Sequence, residues 1–139
     1  MEINEIMQRD VAALDPSSSL LDAVDLMHER GIRHVPLIRA GEVVGIISDR
    51  DVRCYMSDIF EQLQEKTAGA YKKSLALSQV MQSKPLAVDP SSDVLDVIDM
   101  MLENKVGAVV VSDSRGRIQG IVSYEDLLRL LRDEYLSAE

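Results

Sequence analysis

The apolar positions change rhythm along the chain, and the rhythm repeats. Leu20, Val24 and Met27 fall on one face of a helix, as do Val94, Val97, Ile98 and Met101. Each helical stretch is followed by two short runs that are apolar at nearly every residue. In the first copy these are His34 to Ile38 and Val43 to Ile47; in the second, Ala108 to Val111 and Ile118 to Val122. Such runs predict strands buried on both faces. Gly41 and the stretch Asp113 to Gly116 supply the turns between them. A further helix is expected to start at Ser48 and at Ser123. Ahead of the first helix, Asp15-Pro16-Ser17-Ser18 recurs as Asp89-Pro90-Ser91-Ser92. Ser19, or Asp93 in the second copy, is placed as an N-cap, with Asp22 or Asp96 three residues on to close a capping box.

The spacing between copies is constant from Met7 and Met81 to the helix methionines Met27 and Met101. It grows by one residue at the hairpin, after which Gly41, Gly45, Ser48 and Asp51 match Gly116, Gly120, Ser123 and Asp126. The expected fold is therefore α+β, made of two β-α-β-β-α repeats. We assign repeat 1 to residues 1–60, a connector to 61–76 and repeat 2 to 77–139. A unit of about 50 residues buries doubly apolar strands poorly by itself, so the two are expected to pack sheet to sheet as one pseudo-twofold module. Between them, Asp58 to Lys66 has helical composition, and Thr67-Ala68-Gly69 reads as its stop.

Composition narrows the function classes. The 139-residue chain is 46% hydrophobic and 28% charged, as expected of a globular protein. Its net charge of −9 disfavours nucleic acid as the main partner. The single cysteine, Cys54, allows no internal disulfide. No apolar run approaches the about 18 residues that a membrane span needs, and the N-terminus lacks a signal-peptide layout. A cytoplasmic protein without membrane insertion is expected. Catalytic signatures are missing: there is no Gly-x-Ser-x-Gly, His-Glu-x-x-His, Walker loop or Gly-x-Gly-x-x-Gly. The expectation is that the chain is not an enzyme, with no catalytic residues and no metal ligands.

The informative element is a repeated Gly-apolar-apolar-Ser-x-x-Asp, as Gly45-Ile46-Ile47-Ser48-Asp49-Arg50-Asp51 and Gly120-Ile121-Val122-Ser123-Tyr124-Glu125-Asp126. It lies where a strand ends and a helix begins, and a helix N-terminus favours an anion. The serine can donate to a phosphate or sugar oxygen. An ionised aspartate accepts two O–H donors, the number a ribose diol presents. Glycine before the strand end would allow a ligand to approach closely. The same Ser-x-x-Asp is also a capping box, which needs no ligand at all.

These residues carry a family resemblance. Ile6-Met7 and Val80-Met81, the two Asp-Pro turns, Met27 and Met101, Gly31-Ile32-Arg33-His34-Val35-Pro36 and both Gly-x-x-Ser-x-x-Asp runs resemble tandem CBS domains. The resemblance covers the chain apart from residues 53–78 and the tail. It implies a regulatory module that binds AMP, ADP or ATP, or S-adenosylmethionine, forms a disc-like homodimer, and modulates a separate, unknown protein partner. The implied ligand residues are Ser48 and Asp51 for one site and Ser123 and Asp126 for the other, with adenine near Ala13 or Ala87. Repeat 1 offers phosphate the cations Arg33, His34 and Arg50. Repeat 2 has Gly107, Ala108 and Glu125 at those positions, with Lys105 nearby, so the two sites are expected to differ in phosphate affinity. Two alternatives stand beside this reading: a structural or dimerisation module whose motif residues only cap helices, and a divalent-cation sensor using Asp22, Asp25, Asp96 and Asp99.

Overall fold

The computed structural model describes residues 1–61 and 75–138. The expected stop at residues 67–69, and most of the connector assigned to 61–76, lie outside the described residues. Among those described there are four α-helices and two three-stranded sheets, an α+β architecture. In chain order the elements are α1 (Leu20–Arg30), β1 (His34–Arg39), β2 (Glu42–Ser48), α2 (Asp49–Glu61), β3 (Gln82–Ser83), β4 (Ala87–Val88), α3 (Val94–Asn104), β5 (Ala108–Ser112), β6 (Ile118–Ser123) and α4 (Tyr124–Ser137). One sheet runs β1-β2-β3 and the other β4-β5-β6.

The chain divides into two compact units, Ala12–Pro85 and Met1–Val11 with Leu86–Glu139. The compact unit and the sequence repeat are therefore different divisions. The opening turn of each repeat is built into the core beside the other repeat's helix. Ile3–Glu5 and Leu77–Gln79 are single 3-10 turns, and each buries its first residue completely. Ile3 packs with Val94, Val97 and Met101. Leu77 packs with Leu20, Ala23 and Met27. The backbone seals both joints alike. Ile3 N donates to Ser92 O at 2.7 Å and Leu77 N to Ser18 O at 2.8 Å. Val94 N donates to Met1 O and Leu20 N to Leu75 O, each at 2.9 Å. Burying an Ile or Leu side chain contributes about 1.5–3 kcal/mol, enough to hold a one-turn segment that has little helical stability alone.

Within Ala12–Pro85, β1 and β2 form a hairpin in which His34 pairs with Ser48, and a bulge falls between Leu37 and Ile38. The turn Ala40-Gly41 has positive φ at both residues, as a tight two-residue hairpin requires. In the other unit Ala108 pairs with Ser123, again with a bulge near the turn. There the longer loop is organised by the Asp113 carboxylate, which accepts from the backbone N–H of Arg115 and Arg117. Position Ala23 joins Leu20 and Met27 in the core, whereas the expected Val24 is only half-buried.

The capping predictions divide. Ser19 and Asp22 form the reciprocal box on α1. Asp93 stands at the N-cap of α3 but its side chain makes no capping bond. The Asp93 Oδ1 atom lies instead 3.5 Å from Met1 N. Both Asp-Pro-Ser turns are held by their aspartates. Asp15 accepts from Ser17 Oγ and N, and Asp89 from Ser91 Oγ and N. These bonds hold both carboxyls below the usual carboxylate range.

Candidate ligand site

The two motifs occupy matching places, one in each unit. Ser48 ends β2 and Asp51 lies in the first turn of α2; Ser123 ends β6 and Asp126 lies in the first turn of α4. Both pairs are capping boxes. Ser48 N donates to Asp51 Oδ2 at 2.9 Å, and Asp51 N donates to Ser48 Oγ at 3.1 Å. Ser123 N donates to Asp126 Oδ2 at 2.9 Å, and Ser123 Oγ lies 3.3 Å from the same oxygen. Among the described residues, no buried side-chain polar atom lacks a hydrogen-bond partner.

The remaining residues of the first motif gather at the same strand end. His34 is Ser48's partner across the ladder, and Arg33 O accepts from Asp49 N at 2.7 Å, which fastens the start of α2. Arg50 is exposed on the first turn of α2. Arg33 also lines a groove of about 470 Å³ with His28, Asp49, Val24 and Val52, whose lining includes neither Ser48 nor Asp51. Ala13 precedes Leu14, whose N–H donates to Pro36 O beside β1. In the second motif Gly107 O accepts from Tyr124 N at 3.1 Å, the counterpart of the Arg33 bond. Ala87 lies on β4 and pairs with Val110. Lys105 is exposed at the C-cap of α3.

Three features escaped the sequence reading. Gln8 Nε2 donates to Asp126 Oδ1 at 2.9 Å, and Gln82 Nε2 lies 3.5 Å from Asp51 Oδ1. The signal was present, since each glutamine follows a repeated methionine. Arg129 Nη1 is 3.3 Å from Asp126 Oδ1, and Arg129 Nη2 is 3.4 Å from Glu125. The third feature corrects the role expected of the motif glycines. A Cβ on Gly45 would fall on Met81, and one on Gly120 would fall on Met7. The space that each glycine leaves is filled by the methionine two residues beyond the opening turn, Met81 or Met7, not kept open for a ligand.

A pair of units, each with an α-β-β-α run that carries a strand-end Ser and a first-turn Asp, defines the class of protein. The family model of the CBS domain matches residues 3–58 and 77–133, and the chain belongs to the CBS domain family. It is 36% identical over 135 residues to an uncharacterized 33.4 kDa protein of Thermofilum pendens, matching 94% of this chain and 44% of that protein. The chain spans less than half the length of the first curated relatives it matches. Among solved structures, CBSX2 of Arabidopsis thaliana, in complex with AMP, is 26% identical with a TM-score of 0.79, covering 96% of this chain and 98% of that one. The CBS domain pair of protein MJ0100, in complex with 5'-methylthioadenosine and S-adenosyl-L-methionine, is 21% identical with a TM-score of 0.82, covering 96% and 98%. Among the described residues, no helix is long and apolar enough to cross a membrane.

Proposed function

We propose that this chain is a regulatory module that binds an adenosine derivative of the AMP, ADP or ATP class and modulates a separate protein, rather than catalysing a reaction. The observation that carries the reading is the Ser48–Asp51 pair. Asp51 is partly exposed at a helix N-terminus, and its carboxylate has acceptor capacity beyond the bond from Ser48 N. A ribose diol supplies the two donors it can still accept. The Ser48 hydroxyl, the N-terminal end of α2 and the exposed Arg50 are suited to the attached phosphate. The AMP complex of the related CBSX2 supports the choice of ligand class. Ligand at the strand ends would bias the conformation or self-association that a partner, or a second copy in a homodimer, reads.

A second reading has its own support. Both motif pairs close capping boxes, so Ser48, Asp51, Ser123 and Asp126 have a structural task without any ligand. The cation-sensor alternative gains none: among the described residues, no three or more His, Cys, Asp or Glu side chains are grouped to hold a metal ion.

Thermal unfolding of nucleotide-free protein with AMP, ADP, ATP and S-adenosylmethionine separates these readings. A ligand at 100 times its Kd adds about 2.7 kcal/mol, which raises the midpoint of a chain this size by roughly 5–10 °C. The expected result is such a shift with an adenine nucleotide, lost in Asp51→Ala. A flat response to all four ligands would instead favour the capping-only module.

A further inference from the structure

We infer that the two motif aspartates are not equivalent: Asp51 is open to a ligand's diol, while Gln8 and Arg129 hold Asp126 closed. The inference rests on the adenosine reading above and adds a residue, Arg129, that decides which motif is available.

The two carboxylates differ in how many of their acceptor sites are taken. An ionised carboxylate offers about four lone-pair directions. Around Asp126 four donors are in place. Ser123 N and Oγ face Oδ2 at 2.9 and 3.3 Å. Gln8 Nε2 and Arg129 Nη1 face Oδ1 at 2.9 and 3.3 Å. The residue is only 7% exposed. A diol cannot bond to this carboxylate without displacing a donor, one of which carries a full charge. Around Asp51 the described donors are Ser48 N at 2.9 Å and Gln82 Nε2 at 3.5 Å, the latter at the outer limit of a hydrogen bond. Among the described residues two directions remain, matching the two O–H groups of a ribose.

The serines differ in the same sense. Ser48 Oγ accepts from Asp51 N, which leaves its own proton to donate to a ligand oxygen. Ser123 Oγ is directed at Asp126. The cause is written in two positions of the sequence. Arg129 corresponds to Cys54, a side chain with no positive charge to place on Asp51. Glu125, which steadies Arg129 at 3.4 Å, corresponds to Arg50. Repeat 2 thus neutralises its motif internally, while repeat 1 leaves an exposed cation beside an open acceptor.

Isothermal titration of the full chain with AMP, and separately with S-adenosylmethionine, tests this on wild type, Asp51→Asn, Arg129→Ala and the double variant. Arg129 is an exposed position whose replacement leaves the core intact, since its side chain is 54% exposed. The expected wild-type result is one tight site, abolished in Asp51→Asn. Arg129→Ala should gain a second site, tightened by about tenfold or more, the scale of one charge-assisted hydrogen bond. The double variant should keep that second site alone. Two equal sites in wild type, or no second site in Arg129→Ala, would overturn the inference and leave the adenosine reading standing. Absence of binding of both probes to wild type and to every variant, with no thermal shift from ADP or ATP either, would overturn both.

Discussion

Lys105 shows how one residue records the divergence of two copies. It ends α3 with φ 54° and ψ 42°, in the left-handed region. The corresponding residue at the end of α1 is Gly31, with φ 64° and ψ 35°. Both backbone N–H groups bond back to the helix methionine, Met101 O and Met27 O. A β-carbon in this conformation costs about 1–2 kcal/mol that glycine does not. Lys105→Gly should therefore stabilise the protein by about 1 kcal/mol, raising the thermal midpoint by about 4 °C. A lower midpoint would mean that the Lys105 side chain makes a compensating interaction. That a helix ends near residue 104 could be read from the sequence. That a lysine adopts a glycine's conformation there could not, because nothing in the residue type asks for it.

At the scale of elements, the strands and helices were legible because their apolar periods are strong. The β5 run Ala108 to Val111 is buried at every position, as an unbroken apolar strand predicts. Helix starts were legible in both copies, at Ser19 and at Asp93, but the side-chain cap forms at Ser19 and not at Asp93. The packing of the opening turns against β2 and β6 was not legible. It depends on a glycine in one element meeting a methionine from another. At Gly120 a Cβ would also lie 2.8 Å from Gln8 O, whereas at Gly45 the nearest backbone atom, Gln82 O, is 3.2 Å away. A methionine can swing aside but a paired backbone cannot. Gly120→Ala should therefore destabilise by about 1–3 kcal/mol in urea unfolding, and Gly45→Ala by less. Adding Met7→Ala to Gly120→Ala should not restore the loss, because the clash with the Gln8 carbonyl remains.

For the whole molecule, the consequence is that the first few residues belong to the core of the last fifty. Ile3 is fully buried beside Val94, Val97 and Met101. Ile3→Ala should cost about 2–5 kcal/mol. In hydrogen exchange the loss of protection should fall on α3, β5 and β6 ahead of β1 and β2. Uniform loss, or loss centred on β1 and β2, would contradict this division of the chain. The sequence by itself determined the duplication, the α-β-β-α order within each copy and the position of both Ser-x-x-Asp motifs, since each follows from local periodicity, turn chemistry and self-similarity. Only the tertiary structure decided which opening turn completes which core, what fills the space beside the motif glycines, and that Asp126 is enclosed by Gln8 and Arg129 while Asp51 is not. Those are relations between residues distant in the chain. They depend on which side chains the folded backbone brings within hydrogen-bonding or van der Waals reach, and no local pattern encodes that.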